Sequence, residues 1–173
     1  MIDLAEARRL LDAYEYDRLL TLVTPGEVGV AWCRYANRAW GVEELAWKAD
    51  PDGWAAELVQ MDEFLANEQF QREFLVTIVD AVPEELLGWV GSGPLSEFLN
   101  EGDPDQLAWI EAQAARSHRF RRALCSVLVS SSASREAFLR LERAAGETLA
   151  RMPKYRLVAC DGTAPSDEEL GTD

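Results

Sequence analysis

One histidine and three cysteines are all that this chain of 173 residues offers to a zinc ion as nitrogen and thiolate ligands. Cys33, Cys125 and Cys160 are far apart, odd in number and free of any C-x-x-C spacing. With His118 alone they build neither an ordinary structural zinc site nor a disulfide framework. Free thiols suit a reducing compartment. Long apolar runs are missing as well, and no stretch approaches the roughly 18 residues of a membrane span. The opening Met1-Ile2-Asp3-Leu4-Ala5-Glu6 lacks the cationic-then-apolar order of a signal peptide. The expectation is a cytoplasmic protein without membrane association, metal or cofactor. Strand patterns are scarce, and only Tyr155 to Cys160 could extend.

What the chain does have is helical periodicity, punctuated by good start signals. Leu4, Ala7, Leu11 and Tyr14 mark one face of a first helix expected to run to about Val23. Thr24-Pro25-Gly26-Glu27 is a capping box with proline at the first helical position. It opens a helix carrying Trp32, Ala36 and Trp40. Asp50-Pro51-Asp52-Gly53 is a stop and restart, followed by Trp54, Leu58, Met61 and Leu65 on one stripe. Asn67 can cap a helix bearing Phe70, Phe74, Ile78 and Val82. Pro83 ends that helix or begins a short one through Leu86, Leu87 and Val90, and Pro94 stands where another would begin.

Asp103 and Ser117 read as caps of two further helices, with Leu107, Ile110 and Ala114 in the first core face and Phe120, Leu124 and Val127 in the second. A last helix carries Phe138, Leu141 and Leu149, with Pro153 to close it. The fold class is all-α: a compact multi-helix bundle of about seven to nine helices, with stacked helical hairpins as the other arrangement. Residues 1–152 are expected to form one helical domain and residues 153–173 an acidic tail. Nearly half the residues are apolar and six are Trp, enough for a substantial core.

The charges are segregated. Residues 43–111 hold 17 acids against Lys48 and Arg72, whereas residues 112–156 hold ten bases against three acids. Neighbouring helices can neutralise each other across exposed faces, the common fate of charge runs. The net charge of −14 still leaves an acidic excess in the middle segment. Such a field repels nucleic acid and membranes and steers cationic partners. A basic protein partner is therefore expected, with Asp62, Glu63, Glu84, Glu85, Glu101 and Asp103 as candidate contacts.

The basic run Arg116-Ser117-His118-Arg119-Phe120-Arg121-Arg122 supplies the alternative. Arg116, Arg119 and Arg122, with free N–H groups at a helix start, can hold phosphate or nucleic acid. Against it, a helix spreads these side chains over several faces, and Arg121 can pair with Glu111 on the preceding helix. Catalytic readings find little support. His118 has no nucleophile or orienting group near it in sequence. The Gly91-Ser92-Gly93-Pro94 turn lacks the lysine and preceding strand of a phosphate loop, and reads as a sharp reversal that lets two helices approach. Acid pairs such as Asp62/Glu63 and Glu84/Glu85 diverge on a helix. Trp40, Trp47 and Trp54 recur every seven residues, but Pro51 and Gly53 interrupt the last interval, so core packing is the better reading.

Three motifs in order carry a family resemblance from Trp54 to Arg143. They are Gly93-Pro94-Leu95-Ser96-Glu97-Phe98-Leu99, Ile110-Glu111-Ala112-Gln113-Ala114 and Phe120-Arg121-Arg122-Ala123-Leu124. This part resembles an uncharacterised bacterial family of small helical domains with a G-P-L-E-type turn, an I-E-x-x-A helix and an F-R-x-x-L helix. The resemblance implies an all-α bacterial cytosolic protein and supplies no catalytic residue. Ser96 stands where that family usually has Glu. The preferred functional expectation is thus a non-enzymatic acidic protein-binding module, in concrete form an immunity or antitoxin-type inhibitor of a cationic bacterial effector. The alternative is a phosphate- or nucleic-acid-contacting regulatory module using residues 116–122.

Overall fold

A computed structural model describes residues 3–39, 50–99, 103–129 and 134–151. Trp40, Trp47, Glu101, Pro153, Tyr155–Cys160 and the acidic tail, all assigned roles above, lie outside the described residues. The fold is all-α. Its helices are α1 Leu4–Asp12, α2 Tyr16–Leu22, α3 Pro25–Ala39, α4 Gly53–Leu58, α5 Asp62–Leu65 and α6 Glu68–Ala81. They continue as α7 Leu87–Val90, α8 Ser96–Phe98, α9 Pro104–Arg116, α10 His118–Leu124 and α11 Arg135–Ala145. A 3₁₀ turn, Glu84–Leu86, precedes α7, and a π-type turn, Gly91–Leu95, joins α7 to α8. Two residues of extended chain, β1 Leu128–Val129, pair in parallel with β2 Ala150–Arg151. No described helix is long and apolar enough to cross a membrane.

Local chemistry sets most boundaries. Thr24 and Glu27 form the reciprocal capping box at α3, the Thr24 N–H donating to Glu27 at 2.9 Å and the Glu27 N–H to Thr24 Oγ1 at 3.2 Å. Asn67, Asp103, Ser117 and Ser134 each accept a backbone N–H at the start of α6, α9, α10 and α11. Gly146, at φ 79°, ends α11 in the left-handed conformation that glycine adopts most easily. The last helix therefore stops before Leu149, which is buried outside it.

The expected first helix is two helices. Tyr14 sits at φ 59°, its N–H donating to Leu11 O and the Glu15 N–H to Leu10 O, both at 2.9 Å. This is a Schellman-type stop with tyrosine where glycine is usual. The stripe from Trp54 to Leu65 is likewise divided, because the chain turns at Val59–Met61 between α4 and α5.

Buried apolar side chains from Ala7 to Leu149 form one connected cluster. α3 and α6 pack along each other, with Gly29 against Thr77 and Ile78, the Cys33 thiol against Ile78 O and Trp32 edge-on to Phe74. α9 and α11 make the second extensive helix pair. A salt-bridge clasp ties α3 to the start of α4. Arg34 and Arg38 both bind Asp52, at 2.7 and 2.6 Å, and Arg38 also binds Asp50 at 2.6 Å.

Candidate functional site

The acids expected to meet a partner have different surroundings. Asp62 and Glu63 open α5, and Glu85 is exposed on the 3₁₀ turn; none of the three forms an ion pair among the described residues. Asp103 is engaged as the cap of α9, accepting the Asp105 N–H at 2.7 Å. Glu84 is held by Arg119 and Arg122, at 3.2 and 3.3 Å.

That last contact joins the two sequence-based readings, since Glu84 belongs to the acidic set and both arginines to the basic one. Arg119 also donates to the carbonyl oxygens of Val79, at 2.8 Å, and of Val82. It thereby supplies donors to carbonyls at the C-terminal end of α6, which the helix leaves short of partners. Arg121 donates to Ala114 O at 2.6 Å, doing the same for α9. The expected Arg121–Glu111 tie is not formed. Glu111 instead accepts two parallel bonds from Arg140, at 2.8 and 2.7 Å, because α9 and α11 lie side by side. Of the three arginines in the anion-binding alternative, only Arg116 is exposed with no ion pair among the described residues.

A cleft of about 350 Å³ opens between α3, α4, α7 and α8. Trp32 and Tyr35 line it from α3, Trp89 from α7, and Gly93 and Pro94 from the π-type turn. Glu57, Val59, Gln60 and Met61 line it from α4 and the turn after it, and Glu97 from α8. Trp32 and Trp89 meet with ring centroids 5.8 Å apart and planes at 48°, and Phe74 braces Trp32 edge-on at 6.2 Å. The geometry of the turn makes this cleft. The helical run breaks at Gly93 (φ −108°, ψ −106°) just before Pro94, which re-aims α8 and Glu97. Ser96 fixes the turn from behind, its hydroxyl donating to Gly91 O at 2.7 Å and accepting from the Leu128 N–H at 2.9 Å.

Among the described residues no lysine or arginine lines the cleft. Glu57 is already bound by Arg8 at 2.8 Å. The Glu97 carboxylate has no ion pair or hydrogen bond among the described residues, and desolvation by the surrounding protein pushes its pKa above the usual value. Burial and then the nearby groups Glu57, Tyr14 and Glu63 push the Tyr16 phenol up. One uncompensated carboxylate beside three aromatic rings attracts a cation, by Coulomb attraction and through the ring quadrupoles.

A second, more apolar groove of about 460 Å³ runs over Leu4, Val30, Ala31, Trp54 and Thr77. Its polar neighbours are committed elsewhere, Thr24 and Glu27 to the α3 cap and Arg34 to Asp52.

No protein-family model, curated protein or solved structure matches this chain. The three sequence motifs have visible structural work: the Gly-Pro-Leu turn shapes the cleft, Glu111 joins α9 to α11, and Phe120 and Leu124 are buried from α10. Sequence reasoning missed Glu97 and the aromatic wall. The available signal was the glycine-proline break, which had to bring a new helix against whatever preceded it.

Proposed function

We propose that this protein is a non-enzymatic acidic module that binds a basic protein partner, with the aromatic cleft and its acidic surroundings as the contact region. The observation that carries the reading is the uncompensated charge. Of 14 described acids between Asp50 and Glu111, six pair with an arginine. Eight do not: Asp62, Glu63, Glu73, Asp80, Glu85, Glu97, Asp103 and Asp105. The concrete form of the reading is an inhibitor of the immunity or antitoxin type that masks a cationic effector. Among the described lining residues Glu97 is the one carboxylate without an ion pair, Glu57 being bound by Arg8, and this supports binding over acid–base chemistry.

The test is a titration of the whole protein with an oligo-arginine peptide, an oligo-glutamate peptide and duplex DNA. Oligo-arginine should bind and weaken steeply as salt rises from about 50 to 300 mM, because screening shortens the reach of exposed charges. The other two should not bind. Absence of oligo-arginine binding at low salt would overturn the reading.

A further inference from the structure

We propose that the cleft receives a single arginine side chain of the basic partner, its guanidinium lying against the Trp32, Trp89 and Tyr35 wall and pairing with Glu97. This rests on the reading above and assigns its specificity-determining residue.

Four observations converge on it. Charge comes first: the lining holds two carboxylates, one neutralised by Arg8 and one, Glu97, without a counter-ion among the described residues. Among the described residues no lysine or arginine lines the cleft. The second observation is the wall. Three aromatic residues from two helices line the same space, and aromatic faces attract cations, guanidinium more often than ammonium. Guanidinium is planar, weakly hydrated and able to stack while its fork donates to a carboxylate. An ammonium is compact and strongly hydrated, and gives up more on entering such a place.

Size is the third. About 350 Å³ lies at the lower end of ordinary small-ligand clefts, room for one side chain rather than a helix. The fourth is access. The side of the cleft next to Glu97 is made by Gly93 and Pro94, whose small side chains leave the backbone as the wall.

The experiment uses Nα-acetyl-arginine methylamide and its neutral isostere, the citrulline derivative, followed by the tryptophan indole N–H signals of the labelled full chain. The arginine probe should shift the Trp32 and Trp89 signals saturably in the millimolar range, the lysine analogue more weakly, and the citrulline analogue not at all. Glu97→Gln should weaken the arginine probe at least tenfold and oligo-arginine measurably, whereas Glu136→Gln on α11 should change neither. Circular dichroism of Glu97→Gln should match the parent, since Glu97 is exposed at its helix and leaves no cavity. Equal shifts with citrulline, undiminished binding in Glu97→Gln, or shifts confined to other tryptophans would overturn the proposal. If oligo-arginine binds in a salt-sensitive way that Glu97→Gln leaves intact, the cleft assignment fails while the acidic-module reading stands. If oligo-arginine does not bind at all, that reading fails.

Discussion

A Cβ placed on Gly91 would stand 2.0 Å from the carbonyl oxygen of Ala123. The backbone of the π-type turn thus rests directly on α10, with Ser126 Cβ 2.9 Å from the same point. Backbone atoms cannot rotate out of the way, so Gly91→Ala must push the two segments apart. The expected loss is about 1–3 kcal/mol, the usual cost of overpacking a filled site. Gly26→Ala is the matched control: nothing lies within 4 Å of its Cβ position, inside the first turn of α3. It should be neutral or stabilise by up to about 1 kcal/mol. Urea unfolding of both variants checks the pair.

Arg119 and Arg122 share Glu84 but should differ in worth. Arg119 also serves the Val79 and Val82 carbonyls from a partly buried position, whereas Arg122 offers only an exposed ion pair. Arg119→Ala should cost about 1.5–3 kcal/mol, since it leaves helix-terminal carbonyls without donors. Arg122→Ala should cost less than about 1 kcal/mol, and raising the salt should erase the difference from the parent. Equal losses would mean that the carbonyl contacts contribute nothing.

What the sequence disclosed and what it withheld follow from interaction range. The caps at Thr24, Asn67, Asp103 and Ser117 are bonds across two or three residues, so residue type and spacing were enough to find them. Core faces such as Phe70, Phe74 and Ile78 follow from helical period in the same way. Spacing pairs Glu111 with Arg121, ten residues away, whereas the fold pairs it with Arg140; choosing between two arginines requires knowing which helix lies alongside α9. Glu84 and Arg119 were placed in opposing functional readings because nothing local indicates that the end of α6 meets α10. The cleft was out of reach for the same reason, its walls coming from four separate elements. The break at Tyr14 is different: it is local, but the residue in the left-handed position is not the glycine that would have announced it.

Tyr14 therefore gives a prediction of opposite sign to most substitutions. At φ 59° a tyrosine pays a backbone cost that glycine avoids. The side chain is 79% exposed, and its main visible contact is an edge-on approach to Tyr16 at 6.0 Å. Tyr14→Gly should raise stability by up to about 1 kcal/mol, with the lost ring contact offsetting part of the gain. Tyr14→Val should lower stability, because a β-branched residue tolerates that conformation least. Thermal melts of the two variants should bracket the parent.

Asp52 and Glu97 should respond to pH in opposite senses. Asp52 is only 4% exposed; burial opposes its charge, but the hydrogen bonds from Arg34 and Arg38 outweigh burial and bring its pKa below the usual value. Its stabilising contribution is therefore complete above the unfolded-state pKa of about 3.9 and is lost as pH falls through the lower folded value. Arg34 and Arg38 are 52% and 40% exposed, so screening by solvent moderates the effect. Asp52→Asn should then cost about 1–2 kcal/mol at pH 7, a gap from the parent that closes below about pH 4. Glu97 has the reverse linkage: desolvation raises its folded pKa, so the cost of its charge is absent in acid and grows as pH rises through that value. Glu97→Gln should match the parent at pH 4 and be marginally more stable at pH 7, by no more than about 0.5 kcal/mol given its exposure. Parallel denaturation series at both pH values separate the two carboxylates, the one at Asp52 contributing to stability and the one at Glu97 retained at a small cost to it.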